Sequence, residues 1–421
     1  MSKSVKRMRL AHKSGADFAD ACDMSSANRL LATAACFCLA SALINANPAA
    51  SRLRAQGDEQ EYNLRLDQAL RHFRQAVDAD PRDPASYRAV AATYFMRIAF
   101  RRGAVTADDF LGGQTNADTL DMPKPPADLA LAFHQNAARA LELAEQHLLA
   151  NPNEADAHYQ VGSAIALQAS YSATIDGQVF SAFKFARRAY QENSKALALD
   201  PRRQDAGLII GIYDYIISTR SMPVRWLARV GGLEGNKARG IAMIEAAARY
   251  RGENQTDARL ALSLIYNREH RYDEALQVLS DLRTRYPDNR LLWLEAGATA
   301  LRAGRFQDAT RMLNGGFLKL SNPASTQAFG EEALWRYKRG AALVGLRRDA
   351  EAATELKTSL RKEGRDWVHG RAHTELGKLA DLAGNRGAAC EEYYAAARLA
   401  KAADDSIGAA DAEKLLAKRY Q

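Results

Sequence analysis

The sequence predicts an all-α protein, an α-solenoid of paired helices, and three observations carry that expectation. Ala, Leu, Arg and Glu dominate the chain, and all are good helix formers. Alternating β-branched runs, the mark of strands, are scarce. Small and large apolar residues recur at a fixed long interval, as in a repeat array. At 421 residues the chain is too long for one compact core. Charged residues make up 26% and hydrophobic residues 47%, which excludes wholesale disorder. With 27 Gly and 11 Pro, collagen-like and low-complexity readings are excluded too.

From the N-terminus, the uncharged stretch Leu30–Ala42 follows Arg29. A membrane-spanning helix needs about 20 apolar residues, so this stretch is short for an anchor and fits the apolar region of a secretory signal. Ala40-Ser41-Ala42 and Ile44-Asn45-Ala46 offer small residues at cleavage spacing. Residues 1–46 are therefore read as an N-terminal extension and signal peptide, with Met24 a tidier start than Met1. The alternative for this stretch is a buried N-terminal helix. Thr33-Ala34-Ala35-Cys36 departs from a lipidation box, because Thr stands where an aliphatic residue is usual. Cys22, Cys36 and Cys38 fall in the removable segment, leaving Cys390 alone. One cysteine forms no internal disulfide, so the mature fold stands on packing; Cys390 is read as a buried thiol on an apolar helix face.

The clearest repeat is 256–289, where Leu262, Tyr266, Tyr272, Ala275, Leu279, Leu282 and Pro287 fall at positions 7, 11, 17, 20, 24, 27 and 32. Unit 290–323 keeps the frame through Trp293, Ala296, Gly297, Gly304, Phe306, Ala309 and Leu313. It recurs in 370–403 with Leu376, Gly377, Gly384, Ala389 and Tyr393, and in 331–364 with Gly345 at 15 and Ala350 at 20. Upstream, Ala69, Phe73, Ala76 and Pro81 mark a second helix, as do Ala140, Ala144 and Pro152, and Ala189, Ala196 and Pro201. Small residues let paired helices cross closely, large ones fill the space between pairs, and proline ends each second helix.

This pattern resembles the tetratricopeptide repeat (TPR) family, in a bacterial exported form. The resemblance implies a right-handed α-solenoid of about eight helix-turn-helix units of 34 residues. Ser406–Tyr420 is then a C-terminal capping helix, which covers the apolar face of a terminal repeat. The organisation expected is irregular TPR-like repeats over 47–254 and regular repeats with the cap over 255–421. The irregularities are an inserted loop, 102–127, and about fifteen extra residues around Ser170–Gly177, read as a lengthening of both helices of the third unit. A third is an extended hairpin, Ser221–Gly232, whose residues 222–230 mix apolar and basic groups and suit contact with a membrane surface. The segment around this hairpin is also similar, over roughly forty residues, to a eukaryotic TPR family linked to inclusion-body clearance and the mitochondrial outer membrane.

Catalytic signatures are missing from the sequence. It carries no Gly-rich phosphate loop ending in Lys-Ser or Lys-Thr, no Gly-x-Ser-x-Gly elbow and no Cys-x-x-Cys in the mature chain. His369 and His373 lack an intervening Glu. No enzyme activity, cofactor or metal is expected. The net charge of +8 is spread thinly, and the densest basic group, Arg336, Lys338, Arg339, Arg347 and Arg348 beside Trp335 and Tyr337, falls on opposite sides of one hairpin. No nucleic-acid partner is expected.

In TPR arrays the first helices line a concave wall, and positions 2, 5, 9 and 12 point into it. That rule nominates Tyr159, Leu208, Ile212, Tyr215, Leu260, Leu264, Leu294, Trp335, Arg339 and Lys378 as groove residues. The groove is expected to be apolar in the middle and basic toward the C-terminus, suited to a peptide with an acidic end. The alternative for the apolar lining is packing between tightly wound repeats or against loop 102–127. The carboxylate clamp of heat-shock cochaperones is unsupported, since Leu260, Leu264, Leu291 and Glu295 occupy its positions. The expectation is a non-enzymatic scaffold, exported to the periplasm or cell envelope, that binds a protein or peptide partner. The alternative is an accessory that rests on a membrane through 222–230.

Overall fold

The computed structural model describes residues 47–111, 124–219 and 235–421. The chain divides into Met1–Pro48 and Ala49–Gln421, and the second unit holds the repeat array. The signal segment, residues 112–123 of the inserted loop and the 222–230 hairpin lie outside the described residues.

Helices follow one another as α1 (Pro48–Tyr62), α2 (Leu66–Ala79), α3 (Pro84–Arg102), the single turn α4 (Asp108–Leu111), α5 (Ala127–Ala150), α6 (Ala155–Thr174) and α7 (Val179–Leu199). After a 3₁₀ turn at Gln204–Ala206 come α8 (Gly207–Ser218), α9 (Lys237–Arg249), α10 (Gln255–Arg268), α11 (Tyr272–Arg285), α12 (Arg290–Arg302) and α13 (Phe306–Phe317). The array ends with α14 (Glu331–Gly345), α15 (Asp349–Arg361), α16 (Asp366–Leu382), α17 (Arg386–Ala402) and α18 (Ser406–Ala417). The described residues contain helices and no strand. Helices pack on their neighbours in sequence, α3 on α5, α6 on α7, α8 on α9, α14 on α15 and α16 on α17, and each pair then packs on the next. The fold is an all-α solenoid.

Close crossing within each pair rests on one small residue. A Cβ on Gly57 would lie 2.3 Å from Phe73, on Gly297 2.5 Å from Leu313, on Gly340 2.6 Å from Leu356 and on Gly377 2.4 Å from Tyr393. The glycine sits on the first helix at the same spacing from its partner each time, so the two backbones approach where a side chain would hold them apart. The turn between the helices passes through the left-handed region at Leu64 (φ 62), His270 (φ 57), Gly304 (φ 70), Arg347 (φ 59) and Gly384 (φ 79). Asp83, Asn289 and Asp405 cap α3, α12 and α18 by accepting from backbone N–H groups at the helix starts.

Three features depart from the sequence reading, in the first unit, the seventh unit and at Cys390, while the third unit follows it. The first unit is complete, because α1 pairs with α2 through Gly57 and Phe73. In the seventh unit the frame starts two residues later than expected. The left-handed turn residue is Arg347 rather than Gly345, and the buried small residue is Ala352 rather than the exposed Ala350. The extra length of the third unit lies in its two helices, of 20 and 21 residues. Cys390 is half-buried rather than buried. The expected C-terminal cap is present as α18, packed on α17 and α16.

Candidate binding site on the inner face

The inner face of the array is largely covered by the chain's own N-terminal segment. Backbone hydrogen bonds run from Thr326 N to Leu64 O (2.8 Å) and from Phe329 N to Phe100 O (2.8 Å). Tyr62 hydroxyl donates to Asp257 (2.8 Å), and Asn289 donates to Tyr62 O (2.7 Å). Arg65 pairs with Asp288, and Arg88 with Glu253 (2.7 Å). Beyond α3, the described part of the inserted loop lies on the repeats, and it does so through charge. Asp108 and Lys338, both buried, meet at 2.6 Å. Asp109 pairs with Arg365, and Ala107 N donates to Glu295 (3.1 Å). Arg371, paired with Asp405 at 2.8 Å, also faces Asp108. Burial alone would raise the Asp108 carboxyl, but Lys338, Arg302 and Arg371 outweigh it and hold the group well below the usual carboxylate range. Burial lowers the Lys338 ammonium.

The ten sequence-nominated groove residues therefore divide. Tyr159 is fully buried, with the guanidinium of Arg203 4.1 Å from its ring centroid and that of Arg88 at 5.9 Å. Leu208 and Tyr215 are buried in one core with Ile244 and Leu262, and the Tyr215 hydroxyl donates to Glu269 (2.8 Å). Leu294 and Trp335 are buried together in the core of the sixth to eighth units. For Trp335 the two-residue frame shift is the reason, since it moves the indole off the inward row; its Nε1 donates to Glu331 (3.2 Å). Ile212, Leu260, Leu264, Arg339 and Lys378 stay half-buried. Arg339 pairs with Glu355 (3.1 Å) and Lys378 with Glu375 (2.6 Å), so the basic end of the groove is already neutralised. Of the histidines considered for a metal, His373 contacts Glu392 (2.6 Å) and His369 contacts Lys362 O (3.1 Å).

What the N-terminal segment leaves open is a cavity of about 520 Å³ between α1 and α3 on one side and α10 and α12 on the other. Leu260 and Leu264 line it, with Ala92, Phe95, Met96 and Leu291. Charged groups line it as well. Asp58 and Glu61 come from α1, Arg88 from α3, Glu253 from the turn before α10 and Asp257 from its first turn. Burial, reinforced by Asp257 and Glu253, pushes the Asp58 carboxyl up to about 7. Burial pushes Glu61 to about 8 against the hydrogen bond it accepts from Thr93. Burial likewise raises Glu295. None of these groups was nominated from sequence. The α1 sequence is polar on every side, so no apolar stripe announces that it packs inward.

Residues 256–299, α10 to most of α12, match the family model of the tetratricopeptide repeat, so the chain carries this repeat where its sequence frame is clearest. Among solved structures, the chain is similar to the APC/C hetero-tetramer Cut9-Hcn1, at 15% identity and a TM-score of 0.49, covering 90% of this chain and 57% of that one. It thus spans little more than half of that chain's length. It is also similar to yeast Tom70, at 12% identity and a TM-score of 0.40 over 88% and 96% of the two chains. A third likeness is to pilF of Pseudomonas aeruginosa, at 15% and 0.37 over 62% and 96%. No curated protein matches the sequence.

Proposed function

We propose that the protein is a non-enzymatic scaffold of the bacterial cell envelope whose repeat array binds a protein or peptide partner. The observation that carries this reading is the tetratricopeptide repeat at 256–299 within a continuous helical solenoid, a scaffold whose stacked pairs present extended surfaces. Among the nominated groove residues, Ile212, Arg339 and Lys378 keep exposed surface outside the cavity and form the proposed contact strip. Export rests on the apolar run Leu30–Ala42 behind Arg29.

Photo-crosslinking residues at Ile212 and Arg339, compared with the exposed Leu149 (84%), test the contact strip. A discrete adduct from the first two positions and none from Leu149 is the expected result. Equal labelling from all three would refute an inner-face partner. Fractionation of the native cells with N-terminal sequencing tests export; a mature chain beginning before Leu30 and found with cytoplasmic proteins would refute it.

A further inference from the structure

We propose that the cavity between α1, α3, α10 and α12 is a binding site for a small organic cation with an apolar body, of the arylalkylamine kind. The cavity, about 520 Å³, has the size of pockets that enclose small molecules. Its apolar wall, from Ala92, Phe95 and Met96 of α3 and Leu260, Leu264 and Leu291 of the repeats, suits a hydrocarbon or aromatic body. The charged groups select the sign.

Every charged group facing the space can be placed by element. From α1 come Arg54, Asp58 and Glu61; from α3, Arg88; from the turn before α10, Glu253; from the first turn of α10, Asp257; from α12, Glu295. The two guanidiniums are engaged: Arg88 with Glu253 and Gln160, Arg54 with Asp83 and Glu253. Glu295 is paired with Arg302 at 2.7 Å. Asp257 accepts only a neutral hydroxyl, from Tyr62, and Glu61 only that of Thr93. Asp58 lines the cavity with no hydrogen-bond or ion-pair partner among the described residues. Three carboxyls thus converge on the space without a direct ion pair, with Arg54 and Arg88 opposing the charge of Asp58, and Arg88 that of Asp257, only from farther off, and an incompletely compensated carboxylate there is costly. An ammonium beside Asp58 supplies the missing charge with charge-assisted hydrogen bonds. An anion would meet repulsion. The Tyr62–Asp257, Asn289–Tyr62 and Arg88–Glu253 contacts among its lining residues tie α1 and α3 to the repeats around the space.

Protonation follows from the same geometry. Asp58 and Glu61 hold protons near neutrality, and an incoming cation displaces them, so affinity rises with pH until both are ionised.

The test is calorimetric titration of the full chain with 4-phenylbutylamine, its neutral analogue 4-phenylbutanol and its anionic analogue 4-phenylbutyrate. The amine is expected to bind at least about tenfold more tightly than either analogue. Its affinity is expected to rise from about pH 6 to about pH 8.5, with proton release seen as a heat that depends on the buffer. Asp58→Asn is expected to weaken amine binding about tenfold while melting no lower than the parent, because it removes a carboxylate that burial disfavours. Absence of amine binding, equal binding of the alcohol, or unchanged affinity in a folded Asp58→Asn variant would each overturn the proposal. The readout uses no protein partner, so its failure leaves the crosslinking result at Ile212 and Arg339 unaffected.

Discussion

Gly297 shows at the level of single residues why this sequence stacks. With hydrogen in place of a side chain, its helix approaches Leu313 so closely that a Cβ would sit 2.5 Å from the leucine Cγ. Gly297→Val is expected to destabilise the chain by about 1–3 kcal/mol, as overpacked cores do, measured by denaturant unfolding. The cavity carboxyls make a second case. Asp58 and Glu61 bind protons more tightly in the folded chain than in the unfolded one, with values raised from 3.8 to about 7 and from 4.5 to about 8. Their contribution is fully present below about pH 4 and is lost as pH rises through 7 and 8. Glu61→Gln should therefore flatten the fall in stability between about pH 5 and pH 9, and should stabilise the chain by about 1–3 kcal/mol at the upper end. Thermal melts across that range check both; an unchanged pH slope would contradict the burial of this group. Small residues at helix crossings were legible in the sequence because they recur in a frame. Asp58 and Glu61 were not, because a carboxylate on a polar helix reads as solvated until a second element covers it.

At the level of helices and turns, the regular units were legible because Gly304 and Gly384 mark their turns openly. The seventh unit hid its frame. Arg347 occupies the left-handed turn position, and Gly345, two residues earlier, drew the frame to itself while serving a different contact, with Phe306. Trp335 was misplaced by the same two residues, from an inward wall to the core. A non-glycine residue in the left-handed region costs about 1 kcal/mol, so Arg347→Gly is expected to stabilise the chain by roughly that amount in equilibrium unfolding. Loss of stability would mean that the turn is not at 347. The longer third unit, with its helices of 20 and 21 residues, was anticipated as lengthened helices. The start of the first unit was not, since α1 buries only Ala50 and Gly57 fully.

For the molecule as a whole, the repeats do not form an open trough. Residues 62–109 cross to residues 253–371 through backbone hydrogen bonds and buried ion pairs, and the array is tied across its own inner face. Packing of the apolar lining within tightly wound repeats, or against loop 102–127, was one of the two outcomes the sequence left open. Lys338 and Arg371 meet Asp108 from a loop more than two hundred positions away. No local pattern in the sequence encodes such a pairing. Of the groove residues that keep some exposure, Leu260 and Leu264 line the cavity beside the N-terminal segment, and Ile212, Arg339 and Lys378 lie outside it.

The closure is tested most directly by a double-mutant cycle on Asp108 and Lys338, measured by denaturant unfolding of the full chain. The buried pair predicts that Lys338→Met alone costs about 3–5 kcal/mol, because it leaves a buried carboxylate, and that adding Asp108→Asn restores most of the loss. A coupling near zero would show that the segment after α3 does not rest on the repeats, and would contradict the closed inner face.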